Sequence, residues 1–241
     1  MKTLNWLRDI PITHRGLHDA SAGKIENSVS AIKASIENGF SIEVDLQLSK
    51  DRIPIVFHDF TLDRLTSESG SLRKLNAEEI CQIELTNSQD KIANLSDVLK
   101  IVDGKVGLVL ELKGVEGDDE GYVQSVIDHL KDYGGNVVLM SFDHWLIKDA
   151  LEINERPAIG YVSEGDDAHY DKHQAFINEH AVDFISYNVK DLPCAFTTEF
   201  KKSDKPIICW TVSSEELMRH AYIYADQITF EQFNPNLISK S

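Results

Sequence analysis

The sequence predicts an α/β fold and, within that class, a single (β/α)8, or TIM, barrel. Three observations carry this. Strand-like and helix-like segments alternate along the 241 residues, which indicates βαβ units and a parallel sheet. About eight strands can be counted, or nine if "IPIVFH" is taken separately, and a count near eight at this length favours a closed barrel. The apolar share of 42% is ordinary, and no repeat, linker or low-complexity run divides the chain. Residues 1–241 are therefore read as one domain. The alternative is an open doubly wound sheet, but the first strand-to-helix turn lacks the G-x-G-x-x-G phosphate loop of such folds.

Each element has its own signal. "DIPITH" is short, β-branched and closed by Gly16. In "ENSVSAIKASIENG", Val29, Ile32, Ala34 and Ile36 recur at roughly helical spacing, Asn27 or Ser28 can cap the start, and Gly39 ends it. "FSIEVDLQLS" alternates strictly, with Ile42, Val44, Leu46 and Leu48 against Glu43, Asp45 and Gln47. "IPIVFH" reads as a near-continuous apolar strand. Residues 60–95 are less regular, with one short helix in "LNAEEICQIEL". A helix then starts at Ser96 and is ended by "DGK". The strands "KVGLVLELK", "NVVLMSF", "PAIGYV", "DFISYN", "KPIICWTV" and "DQITF" follow, with helical patterns between them.

Composition excludes several classes of function. A formal charge of −16 argues against general nucleic-acid binding. It does not exclude a small anionic substrate, because a local basic pocket or a bound cation reverses the local field. No segment approaches the ~18 apolar residues of a membrane span, and the N-terminus lacks the apolar run of a secretory signal. The three cysteines, Cys81, Cys194 and Cys209, have no metal-like spacing, and their odd count points to a reducing compartment. The expectation is a soluble, cytoplasmic protein.

Barrel active sites lie at the C-terminal strand ends, so the residues that end strands form the candidate set. "PITH" ends in His14, followed by Arg15; "SIEVD" in Glu43 and Asp45; "IPIVFH" in His58, followed by Asp59; "GLVLELK" in Glu111 and Lys113. Glu43 and Asp45, two apart on a strand, face one side, as do Glu111 and Lys113. Three carboxylates converging on one rim repel unless a positive charge sits between them. Oxygen donors favour Mg²⁺ or Ca²⁺, so one such divalent cation held by Glu43, Asp45 and Glu111 is expected. His14 and His58 suit general acid/base work. Arg15 and Lys113 suit phosphate contact, although Arg15 could instead pair with Glu43 or Asp59. Together these groups describe phosphoryl-oxygen chemistry.

In this order, "HRG" (14–16), "EN" (26–27), "EVD" (43–45), "HD" (58–59) and "ELK" (111–113) resemble the signature of the glycerophosphodiester phosphodiesterases. "NLSDVL", "SF" and "WTV" are weaker family-like pieces, so the likeness spans about residues 11–235. It implies a (β/α)8 barrel with a small insertion after the second strand, about residues 46–95. It also implies metal-dependent hydrolysis of glycerophosphodiesters to an alcohol and glycerol 3-phosphate. By motif, metal binding falls to Glu43, Asp45 and Glu111, acid/base roles to His14 and His58, and phosphate contact to Arg15 and Lys113. The chain departs from the family pattern at Ile25, where a proline is usual, and at Phe230, where an aspartate is common. The terminal turn lies beside the mouth in family members, which makes Phe230 a possible pocket residue.

Asn27 either caps a helix or shapes the site, and Trp210 either walls the pocket or joins the core. The remaining histidines, His18 among them, are read as polar turn residues, and "EGDDEG" (116–121) as a solvated loop. The expected partner is a small phosphodiester, with no nucleic acid. Two other functions fit the same barrel: a metal-dependent lyase or aldolase with Lys113 or a histidine as base, and a catalytically silent binding barrel.

Overall fold

The computed structural model describes residues 4–238. Its strands are β1 (Ile12–Thr13), β2 (Ser41–Leu48), β3 (Pro54–Val56), β4 (Ala93–Asn94), β5 (Leu108–Leu112), β6 (Val137–Ser141), β7 (Ala158–Ser163), β8 (Phe184–Asn188), β9 (Ile207–Val212) and β10 (Gln227–Phe230). Its helices are α1 (Trp6–Asp9), α2 (Val29–Glu37), α3 (Ala77–Ile80), α4 (Leu95–Val102), α5 (Tyr122–Leu130), α6 (His144–Glu152), α7 (Tyr170–Glu179), α8 (Ala195–Phe200) and α9 (Glu215–Tyr224). Except for β3 and β4, every strand runs parallel to its neighbours. The short strand β1 pairs with both β2 and β10 and so closes an eight-stranded barrel. That closure excludes the open sheet.

Alternation along the strands sorts the side chains. Ile42, Val44 and Leu46 of β2, with Leu108, Leu110 and Leu112 of β5, are buried against the helices. The intervening positions face the lumen. The lower lumen is filled by Ile12, Val109, Val138, Met140, Val162, Phe184 and Ile208, and Leu7 of α1 joins them. The upper lumen carries Glu43, Asp45 and Glu111, so apolar packing gives way to charge toward the C-terminal strand ends.

Local chemistry explains the helix boundaries. The Ser28 hydroxyl accepts from the Ala31 N–H to cap α2, and the Asn94 side chain accepts from the Asp97 N–H to cap α4. The helix α4 thus starts at Leu95, one residue before the Ser96 start expected from sequence.

Two expectations need correction. "IPIVFH" is not a barrel strand: only Pro54–Val56 is extended, and it pairs antiparallel to β2. His58 therefore reaches the rim from the loop after a return strand. The excursion begins at about Leu46: β2 pairs with β5 only that far, and its Leu46–Leu48 end pairs with β3 instead. It builds its own small core from Ile55, Phe57, Leu62, Leu72, Ile80, Leu85 and Ile92. Lastly, "EGDDEG" is not wholly solvated. Asp119 is buried, and its carboxylate accepts from the Val115 N–H (2.6 Å), the Trp145 indole N–H (2.9 Å) and Arg73 (2.8 Å). Its role is to pin a loop.

Gly160 of β7 sits opposite Phe184 of β8. A Cβ at Gly160 would lie 2.3–2.7 Å from the Phe184 ring, which is fully buried in the lumen. Gly160→Ala is expected to cost about 1–3 kcal/mol through overpacking, measured as a lower urea midpoint with an unchanged slope. An unchanged midpoint would contradict this packing.

Candidate active site

The first strand-to-helix turn is hooked over the end of β2. Arg15 (φ 56°) and Gly16 (φ 79°) both take left-handed backbone conformations. The Arg15 N–H donates to the Glu43 carboxylate (2.9 Å), and the Gly16 N–H to the Glu43 carbonyl (3.2 Å). Gly16 lies so close to α2 that a Cβ would stand 2.9–3.1 Å from Ala31. Glycine is required there on both counts.

Inside that turn, Glu43, Asp45 and Glu111 offer carboxylate oxygens all within 4.8 Å of one another. All three residues are buried, Glu43 and Asp45 at 1% exposure and Glu111 at 8%. Burial, then the charges of Asp45 and Glu111, push the Glu43 carboxyl well above its usual range. Burial also raises Glu111. Burial acts on Asp45 in the same sense, but Lys113, Arg15 and His58 outweigh it and hold the carboxyl at about 2. Lys113 bonds both Asp45 (3.0 Å) and Glu111. Within the carboxylate set, Glu43 Oε1 is buried without a hydrogen-bond partner among the described residues. Such an orphan is costly unless the site is completed by a cation. The set is all oxygen and suits a hard divalent ion.

Asn27 does not cap the helix; Ser28 does. Asn27 is buried with φ 59°, its amide donates to Asp45 Oδ2 (2.9 Å), and its carbonyl accepts from the Asp45 N–H (3.2 Å). It orients Asp45.

Each histidine at the mouth has a carboxylate behind it. His14 Nδ1 lies 2.7 Å from Glu231 Oε2, and His58 Nδ1 lies 2.6 Å from Asp59 Oδ1. Burial, then the nearby Lys113 and Arg15 cations, outweigh Asp45 and lower the His58 pKa, so the ring is held neutral. Arg64 donates to Asp59 (2.6 and 2.9 Å) and to both oxygens of Glu26 (2.8 Å each). Glu26 in turn receives Arg15 (2.6 Å), whose Nε lies 3.2 Å from Asp45.

A cavity of about 120 Å³ joins these groups, lined by His14, Arg15, Glu43, His58, Glu111 and Lys113, with Met140, Phe142 and Trp210 on the apolar side. Trp210 packs edge-on against Phe142 (centroids 5.3 Å) and is a pocket wall. A larger groove of about 720 Å³ lies near the N-terminal strand ends, against Trp6, Leu130, Ile153 and Pro157, and holds none of these groups.

Phe230 is not part of the pocket. Its ring is buried against Phe40 and Phe233 on the helix side. Its neighbours face the mouth instead: Thr229 lines the cavity, and Glu231 holds His14. The alternation in "ITFE" carries that information, since apolar Ile228 and Phe230 must point outward. His18, read as a turn residue, brings Nε2 to 3.6 Å from the same Glu231 carboxylate. Arg64 had no signal in sequence, because its partners Glu26 and Asp59 come from separate loops.

The raised Glu43 pKa has a sign. A carboxyl raised by folding favours the folded state fully below its unfolded value, about 4.3, and that support is lost as pH rises through the folded value. In EDTA at about pH 8, Glu43→Gln is therefore expected to be more stable than the parent by about 1–3 kcal/mol. The gap should close on acidification. A variant less stable than the parent in denaturant melts at that pH would contradict like-charge crowding.

Comparison with known proteins agrees with this geometry. Residues 14–231 match the glycerophosphoryl diester phosphodiesterase family. A glycerophosphodiester phosphodiesterase of Caldanaerobacter subterraneus is 29% identical over 164 residues, 64% of this chain and 66% of that protein. Human glycerophosphodiester phosphodiesterase 1 is 41% identical over 71 residues, 29% of this chain and 20% of the human protein. The matched stretch thus spans less than two thirds of either relative. Among solved structures, an Oleispira antarctica phosphodiesterase in complex with the product sn-glycerol 3-phosphate superposes with a TM-score of 0.81 at 22% identity, covering 92% of this chain and 93% of that one. The Thermotoga maritima glycerophosphodiester phosphodiesterase gives 0.74 at 23%, covering 92% and 94%. These likenesses establish the fold, and the match over residues 14–231 establishes the family: this chain is a member of the glycerophosphoryl diester phosphodiesterase family.

Proposed function

We propose that this chain is a divalent-cation-dependent phosphodiesterase that cleaves glycerophosphodiesters to an alcohol and glycerol 3-phosphate. The observation that carries the reading is the meeting, at one barrel mouth, of three crowded carboxylates and two carboxylate-backed histidines. Glu43, Asp45 and Glu111 would hold the cation, and the partnerless Glu43 Oε1 fits that assignment. When bound, Mg²⁺ or Ca²⁺ would neutralise charge on the phosphoryl oxygens.

The residues of the chain supply the rest. Glu231 and Asp59 each accept a hydrogen bond from Nδ1–H of a histidine, which leaves Nε2 of His14 and His58 for proton transfer. One histidine takes a proton from the attacking oxygen, and the other gives one to the departing alkoxide. Neutral His58 is ready to accept at pH 7. Arg15 and Lys113 bring positive charge to the anionic substrate, and Trp210 with Phe142 bounds the pocket. Arg64 keeps Asp59 and Glu26 in place and thereby acts on both His58 and Arg15. We further propose that residues 1–241 act as one domain with the excursion as an annex. The free cysteines among the described residues support a cytoplasmic site of action.

Turnover of a glycerophosphodiester should be abolished by EDTA and restored by Mg²⁺ or Ca²⁺. His14→Ala and His58→Ala should each lower kcat by about 10²–10⁴; turnover that survives both changes would sink the mechanism. Glu231→Gln and Asp59→Asn should lower kcat more than they raise KM, by about tenfold or more. Unchanged kcat in both would contradict an orienting role.

A further inference from the structure

We propose that His14, His18 and Glu231 form a second metal site, selective for zinc, whose occupation switches the enzyme off. Nδ1 of His14, Nε2 of His18 and a carboxylate oxygen of Glu231 all lie within 4.8 Å of one another. Glu231 Oε2 is 2.7 Å from the first and 3.6 Å from the second. Tetrahedral zinc with bonds of about 2.0–2.2 Å holds its ligand atoms roughly 3.4 Å apart, so side-chain rotations alone complete the site. The three side chains are 17%, 21% and 21% exposed, which leaves a path for an ion and for a fourth, water ligand.

The frame is already rigid. Leu17, between the two histidines, donates its N–H to Ser35 Oγ (2.8 Å) and the Ala31 carbonyl (3.1 Å), and the His18 N–H donates to the Gly16 carbonyl (2.9 Å). On the other side, the Glu231 N–H donates to the Val212 carbonyl (3.1 Å). Both ligand-bearing segments are thus anchored to the barrel. The donor chemistry separates this site from its neighbour. Two imidazoles and one carboxylate favour zinc, whereas the three-carboxylate set favours Mg²⁺ or Ca²⁺.

The inhibitory effect rests on the acid/base role proposed for His14. Zinc at Nδ1 takes the lone pair of the other tautomer, so the ring's one proton moves through solvent from Nδ1 to Nε2. The neutral ring then carries its only proton on Nε2. That nitrogen can no longer accept a proton, and Glu231 no longer orients the ring as a base. His18 does not line the catalytic cavity and meets the machinery only at Glu231 Oε2, at 3.6 Å against 2.7 Å for His14, so the Glu231–His14 contact stands without it.

The test is competition for zinc between the Mg²⁺-loaded protein and a chromophoric chelator, alongside zinc titration of turnover. The parent should retain one zinc per chain and lose activity as it fills. His18→Ala should keep Mg²⁺-supported turnover. Its zinc affinity and zinc sensitivity should both fall by about tenfold or more, since losing a ligand costs at least what losing an outer-shell partner does. If His18→Ala does not fold, His18→Asn gives the same readout. Equal affinity in parent and variant, or no zinc retained against the chelator, would overturn the site. Because the chelator reads binding alone, a His18-dependent zinc in a protein with no phosphodiesterase activity would uphold the site and defeat the functional reading instead.

Discussion

Like charges repel most strongly where water is scarce, and Glu43, Asp45 and Glu111 meet within 4.8 Å in a buried lumen. The rest of the mouth is organised around that crowding. Lys113 lies against Asp45 and Glu111, Arg15 against Asp45 and Glu26, and Arg64 bridges Glu26 to Asp59, which holds His58. Charge therefore alternates in sign along one continuous series of contacts. Left-handed backbone at Arg15 and Asn27, an uncommon state for residues other than glycine, is tolerated because each residue bonds a member of the carboxylate set.

Closure of the barrel supplies the other half of the site. The strand β1 is only two residues long, yet it pairs on both sides and joins the start of the chain to its last strand. His14 donates its backbone N–H to the Phe230 carbonyl, and its ring meets Glu231 across 217 residues of sequence. The position of the His14 ring, for which proton transfer is proposed, thus depends on the last parallel pairing of the sheet.

Much of this was legible in sequence. Strict alternation in "SIEVDLQL" was enough to turn Glu43 and Asp45 inward, and the spacing of strands and helices was enough to suggest a closed barrel. The same alternation at "ITFE" turns Glu231 inward and Phe230 outward, whereas the family likeness marks position 230 and not 231. Other features had no local signal. The return of Pro54–Val56 as an antiparallel strand, the burial of Asp119 by Arg73 and Trp145, and the bridge made by Arg64 all depend on partners far away in sequence. His18 looked like a loop residue because its meaning lies in Glu231, at the other end of the chain.

The central claim is that a divalent ion completes the carboxylate set. Anomalous diffraction from a crystal soaked in Mn²⁺ tests it most directly. The expected result is a single strong peak bound by Glu43, Asp45 and Glu111, with Glu43 Oε1 among its ligands. A map with no peak there, and with Lys113 still bonded to Asp45 and Glu111, would contradict the account.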